Sequence, residues 1–156
     1  MDTDMVTDTD MDRGMDRGMD NKTLARRFLE ETADHDRGPV YARHCTPDYV
    51  EHDPNMAQES VGLAEAARVY RELMDAFGLT HRAQSMVAEG DLVCARFVLR
   101  GRHTGAYQGN PPSGASFEAT GHVTLRFDDG KIAESWFNWD LTGALRQLGS
   151  PPDTVL

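Results

Sequence analysis

Two stretches of this sequence hold side chains that could move a proton or grip a flat molecule. The first is "VEHDPN", residues 50–55, where His52 and Asp53 stand side by side. An imidazole has a resting pKa near neutrality and can give or take a proton, and a neighbouring carboxylate can orient it. Such a pair suits isomerisation next to a carbonyl, epoxide opening or aldol closure. The second is "GKIAESWFNWD", residues 130–140, where Trp136, Phe137 and Trp139 lie between Glu134 and Asp140. Rings of this size wall hydrophobic pockets and stack on planar groups. The sequence has no HxxxH metal pair, no glycine-rich phosphate loop after a strand and no G-x-S-x-G elbow.

The elements that must position these residues follow from periodicity. "DNKTLARRFLEETADHDRGP" reads as a helix with Leu24, Phe28 and Leu29 on one face, stopped by Gly38 and Pro39. The acids around His35 belong to the solvated end of that helix. "VYARHC" is a short helical piece, and Tyr49 to His52 alternate as a strand that Pro54 ends. "GLAEAARVYRELMDAFG" is the strongest helix: Leu63, Ala66, Ala67, Tyr70, Leu73, Met74 and Phe77 recur at three- and four-residue spacing, and Gly78 caps it. From Thr80 the pattern turns to strands. One hairpin folds about "EGD" and a second about "DDG", and "TGAYQGNPPSGA" between them is a loop. Helices followed by an antiparallel sheet predict an α+β domain.

Composition narrows the function further. Residues 1–20 hold seven Asp and two Arg, half of the net charge of −10, and show no periodicity, so they read as a disordered acidic leader before a single domain spanning 21–156. That domain is mildly acidic and has no basic stripe, which argues against nucleic acid or an anionic membrane as partner. No export signal opens the chain, which points to the cytoplasm. Cys45 and Cys94 read as two free thiols of a reducing compartment.

The segments "YVEHDP", "GRHTGAYQGNPPSG", "RFDDGKIAESW" and "ALRQLG" occur in an order that resembles the SnoaL-like polyketide cyclases of the nuclear transport factor two-like superfamily. The resemblance covers roughly residues 22–150. It implies a cone-shaped curved sheet wrapped around N-terminal helices and enclosing one deep apolar pocket. It also implies action on an apolar natural-product intermediate without cofactor or metal, and assembly as a homodimer or larger homo-oligomer. Related isomerases carry a proton-abstracting carboxylate near "VEHDPN". The family's aldol cyclases carry an Asp in a pattern resembling E-H-W-D, which falls here on Glu134, Ser135, Trp136 and Phe137. Phe137 therefore stands at the Asp position and Ser135 at the His position, a departure that admits a pericyclic closure driven by shape.

A three-residue loop about Gly130 would pair Phe127 with Lys131, Val123 with Ser135, and Gly121 with Phe137. Ser135, Phe137 and Trp139 would then share one face with Gly121, Val123 and Leu125, as a cavity wall does. Glu134 would pair with Arg126 or Lys131 on the other face, whereas a two-residue loop would swing His122 inward. Asp140 is expected to cap the helix "LTGALRQLG". On the earlier strand, Val50 and His52 share the face expected to meet the cavity, with Asp53 at its rim and Glu51 facing away. Tyr41 and Tyr70 could donate hydroxyls, while His44, His81 and His103 carry little functional weight. The expected site is thus His52 and Asp53 as acid/base, with Tyr70, Val123, Ser135, Phe137 and Trp139 on the substrate. Isomerase or epoxide hydrolase activity, and ligand carriage without catalysis, are the competing readings.

Overall fold

The structure, a computed structural model, describes residues 8–31 and 38–149. In chain order its elements are α1 (Asp8–Glu30), α2 (Gly38–His44), β1 (Cys45–His52), β2 (Ser60–Gly62), α3 (Leu63–Phe77), β3 (Thr80–Glu89), β4 (Leu92–Arg102), β5 (Ser116–Asp128), β6 (Lys131–Trp139) and α4 (Leu141–Gln147). The strands form one curved, unclosed six-stranded sheet in the order β2-β1-β6-β5-β4-β3. The sheet is not wholly antiparallel as expected: β1 runs parallel to β6. A parallel neighbour needs a long crossover rather than a tight turn, so local sequence carries no mark of it.

α1 buries Ala25, Phe28 and Leu29 against the sheet. It ends at Glu30, and the expected helical end around His35 lies outside the described residues, as do residues 1–7. Residues 8–20, expected as disordered leader, belong to α1. Once the packed half has nucleated the helix, each added residue costs little. Near its end, Glu30 accepts from the backbone N–H of Ala83 and Arg26 donates to the Ala83 carbonyl, at the bulge where β3 slips against β4.

α3 is the expected amphipathic helix, burying Ala66, Ala67, Tyr70, Met74 and Phe77. Gly78 closes it at φ +54°, its N–H donating to the Met74 carbonyl at 2.8 Å, because only a residue without Cβ enters that conformation at no cost. α4 is capped by Asp140, whose Oδ1 accepts from the Gly143 N–H at 2.8 Å, as expected. Gln147 then fastens α4 to β5 by bonding both the N–H and the carbonyl of Glu118.

The β5–β6 hairpin differs from expectation in detail but not in outcome. Its loop is the two residues Asp129 and Gly130, both at positive φ, and a bulge follows beside Phe127. The short loop shifts the register by one residue and the bulge shifts it by one more. Val123 therefore pairs with Phe137 and Gly121 with Trp139, while the face carrying Ser135, Phe137 and Trp139 is the expected one. His122 stays exposed on the opposite face. A Cβ on Gly121 would stand 2.6 Å from the Phe97 ring and 2.7 Å from Trp139. Gly121→Ala is thus expected to cost about 1–3 kcal/mol, as overpacking does, read as a lower urea midpoint.

Candidate active site

Between the sheet, α3 and α4 lies a cavity of ≈ 480 Å³. Its apolar wall includes Phe97, Leu99 and Phe117 from β4 and β5, Phe137 and Trp139 from β6, and Leu145 from α4. Its polar groups include Glu51 and Asp53 from β1 and its exit, Tyr70 from α3, and His81 from β3.

Asp53 follows the last residue of β1, where Pro54 ends the strand. Its Oδ1 accepts from the Asn55 N–H at 2.8 Å and its Oδ2 from the Trp139 indole N–H at 3.1 Å. Asp53 as a whole is only 8 % exposed. Burial pushes its pKa above the usual value, against the hydrogen bonds from Asn55 and Trp139 that pull it down. A carboxylate so held is aimed, dry and more basic than one in water.

Glu51, expected to face away, is the second buried acid of the cavity. Tyr41 and Tyr49 both donate to its Oε2, at 2.9 and 2.7 Å, and the Tyr49 hydroxyl also meets Ser135 Oγ at 2.6 Å. Burial, then the Glu51 charge, push the Tyr49 pKa well up, so this hydroxyl keeps its proton and remains a donor. Tyr49, Glu51 and Asp53 share one strand face, all buried. The ring of Tyr49 was the signal for that face: it is a larger apolar group than Val50, whose face turns outward.

His52 is accordingly on the outer face, a correction to the expected site. Its Nε2 bonds Glu134 Oε1 at 2.8 Å, its Nδ1 meets Ser60 Oγ at 2.8 Å, and its ring stacks on Trp136 with centroids 5.4 Å apart. Arg126 pairs with the same Glu134 at 3.1 Å, and the His52 hydrogen bond with the two arginine contacts holds that carboxyl below its usual pKa. His52→Ala is therefore expected to leave turnover far closer to wild type than the ~10²-fold loss that follows removal of a positioned acid or base.

Val123 and Ser135 are fully buried and stand behind the lining rather than in it, Ser135 as a partner of Tyr49. Asp53, Tyr70, Phe137 and Trp139 all line the cavity. His81, given little weight in the sequence, joins them: its Nδ1 lies 3.1 Å from the Tyr70 hydroxyl. Alternation along β3 places it inward, but nothing local distinguishes it from a core histidine. Among the described residues, no group of three or more His, Cys, Asp or Glu is placed to hold a metal ion, and no helix is long and apolar enough to cross a membrane.

Residues 23–148 match the family model described as SnoaL-like polyketide cyclase. A nogalonic acid methyl ester cyclase of Streptomyces nogalater is 32 % identical over 114 residues, which are 69 % of this chain and 82 % of that one. A candidate SnoaL-like polyketide cyclase of Jannaschia sp. CCS1 superimposes with a TM-score of 0.74 at 22 % identity, covering 86 % of this chain and 95 % of that one. A candidate hydroxylase of Streptomyces galilaeus superimposes with a TM-score of 0.72 at 28 % identity, covering 87 % and 85 %.

Proposed function

This chain belongs to the SnoaL-like polyketide cyclase family, and from that footing we propose that it closes a ring of an esterified polyketide by acid/base aldol chemistry in the cavity beside Asp53. The observation that carries the proposal is a buried carboxylate of raised pKa, aimed by the indole of the cavity's own aromatic wall. Asp53 takes a proton from the carbon next to a carbonyl. That carbon bonds to a second carbonyl carbon of the same molecule, and the oxygen there receives a proton from the Tyr70–His81 pair. Net, the C–H bond and the π bond of the second carbonyl are exchanged for a C–C and an O–H bond; Asp53 then gives up its proton to water and the Tyr70–His81 pair regains one, so the substrate is isomerised with no co-reactant. Phe97, Phe137 and Trp139 hold the chain flat, so the two carbons meet without a large entropic cost.

Phe137 at the family's Asp position is consistent with this reading, because the carboxylate reaches the cavity from β1 instead. A purely conformational template for pericyclic closure would gain from an apolar lining throughout, whereas burying Glu51 and Asp53 carries a desolvation cost that only chemistry or tight hydrogen bonding offsets. The relative's ester substrate gives the probe. Incubation with nogalonic acid methyl ester is expected to give a product of unchanged mass and altered retention on chromatography. A product heavier by one oxygen would mean hydroxylation, and saturable binding without product would mean a carrier; either would overturn the proposal. The rate should also fall on the acid side, as Asp53 is protonated, with a midpoint above the usual aspartate value of 3.8.

A further inference from the structure

On α3, the side chains of Glu65, Arg68 and Glu72 line the cavity while staying 40 %, 50 % and 58 % exposed, so they stand where it meets solvent. Their spacing of three and four residues puts them on one helical stripe. Every guanidinium nitrogen of Arg68 is engaged by a carboxylate: Nε and Nη2 bond the two oxygens of Glu65 at 2.9 and 2.6 Å, and Nη1 bonds Glu72. Among the described residues lining the cavity, Arg68 is the one arginine or lysine, against the four acids Glu51, Asp53, Glu65 and Glu72.

This arrangement bears on substrate charge. Arginine is the usual fork for a substrate carboxylate, since its planar N–H pairs match the two oxygens. Here that fork is already filled from the protein's own helix. The Glu72 charge is also felt at the Tyr107 hydroxyl of the same lining: burial, then this charge, push its pKa up. An incoming carboxylate would meet a negative field at the mouth and a second one at Glu51 and Asp53, with the one arginine of the described lining already engaged.

We propose that Glu65, Arg68 and Glu72 form a charge gate that sets the specificity of the cavity for carboxyl-masked, uncharged substrates and turns away the corresponding free acids. The proposal rests on the polyketide reading for its ligand, but the gate itself is a property of α3. It acts on entry and binding, not on the proton transfers at Asp53.

The test compares nogalonic acid methyl ester with nogalonic acid, binding being read by quenching of Trp139 fluorescence in a Trp136→Phe background. With the gate intact, the protein is expected to bind the ester on the order of tenfold more tightly than the acid at low salt, with the ratio shrinking as salt screens the mouth. In Glu65→Gln/Glu72→Gln the guanidinium is released and the ratio should collapse or invert, through tighter acid binding. Adding Arg68→Gln should remove that gain. These are solvent-facing helix pairs, so their loss should leave the fold standing, and circular dichroism checks that it does. An ester-to-acid ratio that the double variant leaves unchanged, or that salt does not move, overturns the gate. Binding of neither compound by the protein with its gate intact would instead overturn the substrate reading beneath it.

Discussion

Asp53→Asn is expected to slow ring closure by about 10²- to 10⁴-fold, the range that removal of a positioned acid or base covers, while the protein remains folded. The amide keeps the shape of the carboxyl and can still accept the Asn55 N–H, which fixes the turn into Pro54. It cannot accept a proton. The native carboxyl is pushed to a raised pKa by burial, so its ionised form is the one the fold disfavours. A raised pKa in the folded state means that ionisation above that value costs stability, and the neutral amide is spared this cost. The variant should therefore melt no lower than wild type near neutral pH, apart from the change at the Trp139 indole, and a rate loss cannot be ascribed to unfolding. Steady-state rates with a thermal melt on the same samples check both halves.

Glu51→Ala is expected to act mainly on stability. It removes the acceptor that the Tyr41 and Tyr49 hydroxyls share inside the core and enlarges the cavity at its wall. Removing the buried partner of two donors should cost about 2–4 kcal/mol, read as a lower denaturant midpoint with an unchanged slope. Glu51→Gln keeps a carbonyl oxygen for the tyrosines and should recover much of that loss. The two variants also separate roles. If Glu51 serves chiefly to anchor Tyr49 and Ser135 behind Phe137, the glutamine variant should retain far more activity than Asp53→Asn.

The parts of this molecule that were legible in the sequence are those decided locally. α3 was legible because one apolar stripe and Gly78 specify both its face and its end. The inward face of β6 was legible although the register was not: the two-residue turn and the bulge each slip the pairing by one residue, and the two slips together restore the side of every side chain from Glu134 onward. β1 shows the opposite case. Its alternation was clear, but Val50 made the wrong face look apolar, and only the packing of α2 against β1 reveals why a glutamate is tolerated inside: Tyr41 arrives from α2 to share it with Tyr49. His52 looked like a proton carrier because its type suits one, yet its partners Ser60, Glu134 and Trp136 come from β2 and β6, which the sequence does not join to β1. The parallel β1–β6 pairing and the short β2 are non-local for the same reason. Glu65, Arg68 and Glu72 carry no local mark of a role, because only the fold sets their stripe at the mouth of a cavity.

If a proton leaves a carbon of the substrate for Asp53 during ring closure, the rate of closure should depend on deuterium at the carbon that becomes the nucleophile. Followed across pH, the deuterated compound should react more slowly than the protonated one, with the rate falling on the acid side as Asp53 gains its proton. Both features should vanish with the residual activity of Asp53→Asn. Equal rates for the two isotopic forms, together with a profile flat in pH, would contradict that proton transfer and leave the aromatic cavity as a conformational template alone.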